Sequence, residues 1–443
     1  MNRLPTALLV LAAIALAVFV GTTSRWRFSP ERLNTVGSPL FRFDPAEIEG
    51  ITIKNGDISY TIEQSGEGWR ISTGSGDEAS PAMVQSLMQV ALETPILDRI
   101  DTSEVRDEKN LATFGVNKSS LQIDFRGDKP GTLLIGKNSP DGTRTYVSFK
   151  NSKTVYLVPR SLADLISIDP ASFRERRLLT IDPSTIDRII IRNSLSIIEL
   201  KRNGGTWHIL KPVHDQASAK VVHALIDSLS QIAIQSFTQK KSLRENSGET
   251  IAYAGSIELH SLAADEPLLI TFIRPDEMGL RSVELKPRNV SGRISPDSPN
   301  LTDINLDALR DRSLAHVNPD MVDIVKIRTP SINLLIKRDG DAWDESSINV
   351  DDLIQTLADT RVSAYRPATP SALEELGIND AGHRIEFSAF LSENTPEALA
   401  GEHSVLTLDI GSPQPDGTLP VLISGSPEIR FVPTAFLDAI GAL

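Results

Sequence analysis

The chain reads as an α+β protein, with an N-terminal transmembrane helix followed by three tandem modules of mainly antiparallel β-sheet, each with one or two packed helices. Two observations predict this. An unbroken apolar run from Ala7 to Val20 opens the chain, and a pattern running from proline to tryptophan is then written three times.

The apolar run has fourteen residues and extends to about eighteen from Leu4 to Gly21, which just reaches the length needed to cross a bilayer. Nine of the fourteen are Leu, Ile, Val or Phe, worth together roughly −3 to −5 kcal/mol for insertion. No Ala-x-Ala cleavage pattern and no cysteine follow, which favours an uncleaved signal anchor. Residues 1–3 then form a short cytoplasmic end, 4–21 the span and 22–40 a tether with Trp26 as an interfacial anchor. A span at the extreme N-terminus usually leaves the following domain outside the cytoplasm. The expectation is a single-pass protein of a bacterial inner membrane with its bulk in the periplasm.

The repeat begins at Pro45, Pro183 and Pro319, preceded by Asp44, Asp182 and Asn318. It ends at Trp69, Trp207 and Trp343, each 24 residues later. The Asp or Asn side chain can accept from the orphan amides of a helical turn, and proline at the first helical position loses nothing by lacking an N–H. Ile48, Ile51 and Ile53 follow, with Ile186, Ile189 and Ile191 and then Val322, Val325 and Ile327 in register. Apolar residues two apart put one strand face on a core, and Lys54, Arg192 and Arg328 turn to water. Gly66, Gly204 and Gly340 supply the turn three residues before each tryptophan. One-face periodicity predicts that the indole is a core plug and not a stacking platform for ligand.

Each meander leads into an amphipathic helix. Its apolar face is Val84, Leu87, Met88 and Ala91 in the first copy, Val221, Val222, Leu225 and Leu229 in the second, and a shortened Leu353, Ile354 and Leu357 in the third. Strands return in the back half as LQIDF, TLLIG, RTYVSF and TVYLVP, answered in the third copy by IEFSAF, VLTLDIG, LPVLIS and IRFVP. The second copy is degenerate here and keeps only Pro275-Asp276 in a comparable place. The boundaries that follow are 41–172, 173–311 and 312–443. Arg174 and Arg176 stand at the first joint, Arg310 and Arg312 at the second, each second arginine seven residues before the next proline. Two readings stand for these arginines: salt bridges between modules, or a solvated helix end.

Together these signatures resemble a known family. A D-P-x-x-I start, a G-x-x-W close, an L-x-x-[FL]-G-[IV] box at Leu111–Val116 and Leu373–Ile378, I-G and V-P strand ends and an R-[DE]-R joint are similar to the bacterial family numbered as domain of unknown function 4340. Its members are commonly encoded beside ABC-type permeases and gliding-motility-like auxiliary subunits. The resemblance therefore implies an extracytoplasmic accessory role, with a permease or auxiliary subunit as partner.

Composition narrows the chemistry. The net charge of −13 is spread along the chain without a basic stripe, which argues against nucleic acid. Absence of cysteine removes disulfides, thiolate catalysis and thiolate-bound metals. Gly131–Asn138 imitates a phosphate loop, but Thr132–Ile135 is strand-like and the closing hydroxyl is missing. His208, His214 and His223 fall on strand, loop and helix without ligand spacing. Asp141 and Asp416 sit in Pro-Asp-Gly turns. No catalytic, cofactor or metal residues are assigned. The expected function is a non-enzymatic accessory or scaffold subunit of a cell-envelope complex, working with an ABC-type transporter. Binding of cell-wall or surface polysaccharide is the alternative, to which 5% aromatic residues lend little, and an envelope hydrolase is a third.

Overall fold

The computed structural model describes residues 35–440 except 67, 73–75, 102–107, 118, 128–130, 239–252, 341, 345, 347, 380–381 and 392–400. The expected span 4–21 and Trp26 lie outside the described residues, among which no helix is long and apolar enough to cross a membrane. The chain forms two compact units. The first takes residues up to Arg177 with Ala233–Ser242 and Arg288–Gly292; the second takes Leu178–Ile232, Leu243–Pro287 and Arg293–Leu443.

In the first unit, Pro45–Glu47 forms a 3-10 turn whose cap Asp44 accepts the Ala46 N–H at 2.9 Å. The turn feeds β1 (Ile48–Asn55), β2 (Ile58–Ser65), β3 (Gly68–Ile71) and β4 (Glu78–Ala79), followed by β5 (Asp98–Asp101), β6 (Leu121–Gly127), β7 (Thr132–Asn138), β8 (Arg144–Phe149) and β9 (Thr154–Pro159). They make one antiparallel sheet in the order β4-β3-β2-β1-β6-β7-β8-β9-β5. Ile51, Ile53, Ile62, Ile123 and Phe125 line its inner face, fully buried against Val84 and Leu87 of α1 (Pro81–Glu93). Helix α2 (Glu108–Phe114) carries the first box, and α3 (Ser161–Ile166) closes the copy.

The box and the I-G strand end prove to be two halves of one contact. Gly115 ends the box helix at φ +76°, and the Val116 N–H returns to the Leu111 carbonyl at 3.1 Å. A Cβ on Gly136 would stand 2.2 Å from the Phe114 carbonyl, so only glycine lets β7 run beneath the helix end. The third copy repeats this, with a Cβ on Gly411 falling 2.3 Å from the Leu376 carbonyl.

The second copy supplies β10 (Ile186–Arg192), β11 (Ile197–Asn203), β12 (Thr206–Lys211), β13 (Asp215–Gln216), β14 (Ile234–Thr238), β15 (Tyr253–Ser261), β16 (Leu268–Ile273), β17 (Arg281–Lys286) and β18 (Val290–Ile294). Strand β14 and the start of β18, side by side, group with the first unit, while the others run β13-β12-β11-β10-β15-β16-β17 in the second. This is the order of the first sheet. The back half, degenerate in motif, therefore keeps its strands: LLITFI in β16 still alternates buried and half-buried, and alternation is what a one-sided sheet requires. Helix α4 (Ala219–Gln231) buries Val222, Leu225, Ile226 and Leu229; Ile226 takes the place expected of Val221, which is only half-buried. A short α5 (Leu306–Leu309) precedes the second joint.

The third copy, wholly in the second unit, comprises β19 (Ile324–Arg328), β20 (Asn333–Asp339), β21 (Ala342–Trp343), α6 (Val350–Asp359), β22 (Ala364–Pro367), α7 (Pro370–Glu375), β23 (His383–Leu391), β24 (Gly401–Ile410), β25 (Thr418–Ile423), β26 (Glu428–Pro433) and α8 (Ala435–Ala439). Its order is β21-β20-β19-β23-β24-β25-β26-β22. The capped turns recur at Pro183–Thr185 and Pro319–Met321, with Asp182 accepting from Ser184 and Asn318 from Asp320. Gly66, Gly204 and Gly340 take φ of +59°, +59° and +62°, the left-handed turn expected of them.

The tryptophans differ from expectation in degree. Trp207 is 1% exposed and heads the fully buried side chains, whereas Trp69 and Trp343 are only partly buried at the rims of their cores. Arg202 lies over the Trp207 ring at 5.8 Å and Arg338 over Trp343 at 5.6 Å, each also donating to its proline turn at the carbonyl of Ser184 or Pro319. In the first copy the residue at this position is Gln64, which cannot roof the ring. In the third, Trp343 lies on the outermost strand of its sheet. Replacing Trp207 by Ala should cost about 3–5 kcal/mol, the range for a large buried ring. Trp343→Ala should cost distinctly less, with denaturant unfolding followed by circular dichroism as the measurement.

Candidate functional site

The densest concentration of buried charge lies at the joints. Asp77 precedes β4, 32 residues after Pro45, and its side chain is fully buried. Two arginines close on it, Arg174 Nε at 2.9 Å and Arg288 Nη2 at 3.0 Å. Arg288, whose side chain is 2% exposed, also donates to the carbonyls of Glu175 at 2.7 Å and Arg177 at 3.2 Å. The Arg174 guanidinium stacks over Phe237 at 3.5 Å. Arg176 shares that ring at 5.5 Å and donates to the Gln235 carbonyl at 2.6 Å. These residues all belong to the first unit.

The second unit builds the same device. Asp215, again 32 residues after its proline, precedes Gln216 in the short strand β13. Arg430 Nη2 approaches it at 2.9 Å and Arg310 Nη1 at 3.4 Å. Arg430 also donates to the Leu314 carbonyl at 2.6 Å, as Arg288 does to the first joint. Arg310 stacks over Tyr365 at 3.6 Å and pairs with Glu428 at 2.5 Å. Of the four joint arginines, Arg174 and Arg310 are thus clamp members, and Arg176 braces backbone. Arg312 is exposed, at φ +64°.

Sequence reasoning missed the other clamp members. Asp77 and Asp215 could have been found by extending the repeat register eight residues past the tryptophan. Arg288 and Arg430 carry no such signal, because Arg288 lies in the turn before β18 and Arg430 inside β26.

Each aspartate meets two guanidinium groups in a desolvated setting, where a lone charge would be costly and a stacked, bidentate arginine is the suitable counter-ion. Around the first clamp, Glu175 resists burial through its hydrogen bonds to Arg177, and its carboxyl is held below the ordinary value of 4.5. Glu78 goes the other way: burial lifts its carboxyl above that value, only partly offset by Arg288. Burial works against the charge of Arg310, yet Glu428 leaves its affinity for the proton raised.

The second joint also opens onto a cavity of about 360 Å³ lined by His208, His214, Asp311, Ser313, His316 and Arg430 among others. His316 Nε2 pairs with Asp311. At the first joint the positions of His208 and Ser313 hold Arg70 and Arg177, longer side chains that bond the Gly76 carbonyl and Glu175. The exposed His223 on α4 does not join the other two histidines of its sequence cluster. Among the described residues no three His, Asp or Glu come together to hold a metal ion. Thr132–Ile135 lies in β7, as strand and not phosphate loop, and Asp141 and Asp416 accept the N–H of Thr143 and Thr418 two residues on, as turn residues do.

Two outcomes follow for the clamps. Arg288→Ala leaves Asp77 buried beside one arginine and should lower stability by about 3–5 kcal/mol, with much of the loss recovered in the Asp77→Ala/Arg288→Ala double variant. Because the folded pKa of Glu175 is depressed, its contribution is present above the unfolded value and is lost as pH falls through the folded one. The denaturant midpoint of Glu175→Gln should accordingly depend less steeply on pH on the acid side than that of the unaltered chain. An unchanged slope would count against this role for Glu175.

No curated protein and no solved structure matches the chain. One family model does, over residues 78–248, a span that includes the box Leu111–Val116, the I-G and V-P strand ends, the first arginine joint and the second D-P…G-x-x-W meander. Over that span the chain matches the family described as Domain of unknown function (DUF4340), the family its motifs resemble.

Proposed function

We propose that the protein is a non-enzymatic, extracytoplasmic accessory subunit of a cell-envelope complex, tied to the membrane by residues 4–21 and working beside an ABC-type transporter. The observation that carries this reading is the duplicated clamp. Two separate joints use one buried aspartate, two arginines and a stacked aromatic ring to hold elements of successive copies in register. A chain that pins elements of successive copies together in this way is suited to presenting surfaces to other proteins.

The use of charge supports the same reading. A general acid or base needs a titratable group beside a reacting atom in a cleft. At both joints the buried carboxylates are instead engaged by arginines, and Arg288 and Arg430 spend further donors on backbone carbonyls. Their chemistry is consumed by structure. The transporter partnership rests on the family resemblance, and the membrane attachment on the apolar run.

Extraction of native membranes in mild detergent, followed by affinity capture of the full chain, should recover a permease and an ATPase in stoichiometric amounts. Recovery of the chain alone, while permease and ATPase co-purify without it, would overturn the proposal.

A further inference from the structure

The face of the second sheet turned away from α4 carries a groove. One row of cross-strand neighbours on β10, β15, β16 and β17 reads Arg192, Ser256, Thr271, Glu284. In the first copy the corresponding row begins Lys54, Gln122, Leu134, and in the third Arg328, Arg384, Asp409, the last two joined as an ion pair at 2.6 Å. At the middle of the row Ser256 and Thr271 stand where the other copies have Gln122 and Leu134 or the Arg384–Asp409 pair. A groove of about 400 Å³ results, lined among others by Arg192, Tyr253, Ser256, Thr271, Glu284 and Lys286.

Its polar groups are uncommitted. Arg192 is anchored by Glu258 at 2.6 Å, but the side chains of Ser256, Thr271, Glu284 and Lys286 form no hydrogen bond or ion pair among the described residues. Tyr253 stands at the rim, 49% exposed in a chain with few aromatic residues. An aromatic ring beside unspent hydroxyl, carboxylate and ammonium groups suits a ligand with one apolar face and an edge of groups that both donate and accept.

We infer that this groove is a saccharide-binding site. The C–H face of a pyranose ring packs on Tyr253, and its hydroxyls bond Glu284 as acceptor, Lys286 as donor, and Ser256 and Thr271 in either role. A simple anion would meet the Glu284 carboxylate, and a simple cation the Arg192 and Lys286 charges. An added peptide strand needs a free sheet edge, whereas this row lies on a face, inside the ladder. The inference stands independently of the transporter partnership.

The test is calorimetric titration of the full chain in mild detergent with three hexasaccharides: cellohexaose, chitohexaose and hexagalacturonate. At least one should bind saturably with Kd on the order of 10⁻⁴–10⁻³ M. Tyr253→Ala, which removes the ring, and Thr271→Trp, which fills the groove, should each weaken it about tenfold or more. Lys150→Ala, outside the groove, should leave binding unchanged. If Thr271→Trp does not fold, the exposed Tyr253 decides alone. Absence of saturable binding by all three sugars, or full affinity in Tyr253→Ala, would overturn the assignment.

Discussion

A carboxylate with little or no exposed surface is tolerable only if cations meet it, and Asp77, fully buried, and Asp215, 9% exposed, set that requirement twice. Each must receive one arginine from the joint that follows its own copy, and a second from the back half of the next. The requirement is specific because a guanidinium must arrive in plane, with its remaining donors satisfied. At both joints the remaining donors go to carbonyls of the joint segment, Glu175 and Arg177 at one, Ser313 and Leu314 at the other. A sliding or tilted arrangement would strand a charge in a desolvated place, so the pair selects one arrangement over its neighbours. Apolar packing at the same positions could match the stability without penalising such slips as sharply.

Stacking adds a second restraint. Phe237 beneath Arg174 and Tyr365 beneath Arg310 sit on β14 and β22, which occupy comparable places in the strand order of their copies. The aromatic ring fixes the plane of the guanidinium that the aspartate needs. At the second joint Glu428 also bonds Arg310, a contact without a counterpart among the described residues of the first, where Arg176 instead lies over the same ring at 5.5 Å. The two clamps are thus alike in logic and different in their outer partners. That is the expected outcome when an internal duplication retains the costly buried charge and lets the solvated periphery drift.

Much of the fold was legible because it rests on local rules. The capped proline turns, the left-handed glycines, the α1 face and the strand pairs on either side of Gly142 and Gly417 follow from residue type and period. The third-copy sheet was readable for the same reason. The degenerate motifs of the second copy misled only about its back half, since the alternation in β16 was enough to keep the ladder after the turn signatures had gone. The tryptophans share a register but not a depth: in the first copy Gln64 leaves the ring without a roof, and in the third the ring keeps Arg338 above it but lies on an outermost strand with no neighbour beyond it among the described residues. The clamps were the least visible feature. Half of each comes from arginines that share neither motif nor element, and pairing across 211 or 215 residues leaves no periodic trace.

The same contrast explains where novelty sits. Positions under the clamp constraint cannot change singly, since loss of one member exposes the cost of the other. Positions on the open face of the second sheet carry no such debt: Ser256 and Thr271 contact solvent, and their counterparts range from leucine to an arginine–aspartate pair. The family match covers the first joint. It starts at Glu78, beside the first clamp aspartate, runs through the joint and ends in the second copy at residue 248. It contains Arg174 and Phe237 but neither Asp77 nor Arg288, and it stops before Tyr253 and the strands β15–β17. Of the groove row, Arg192 lies within the matched span, and Ser256, Thr271 and Glu284 lie beyond it.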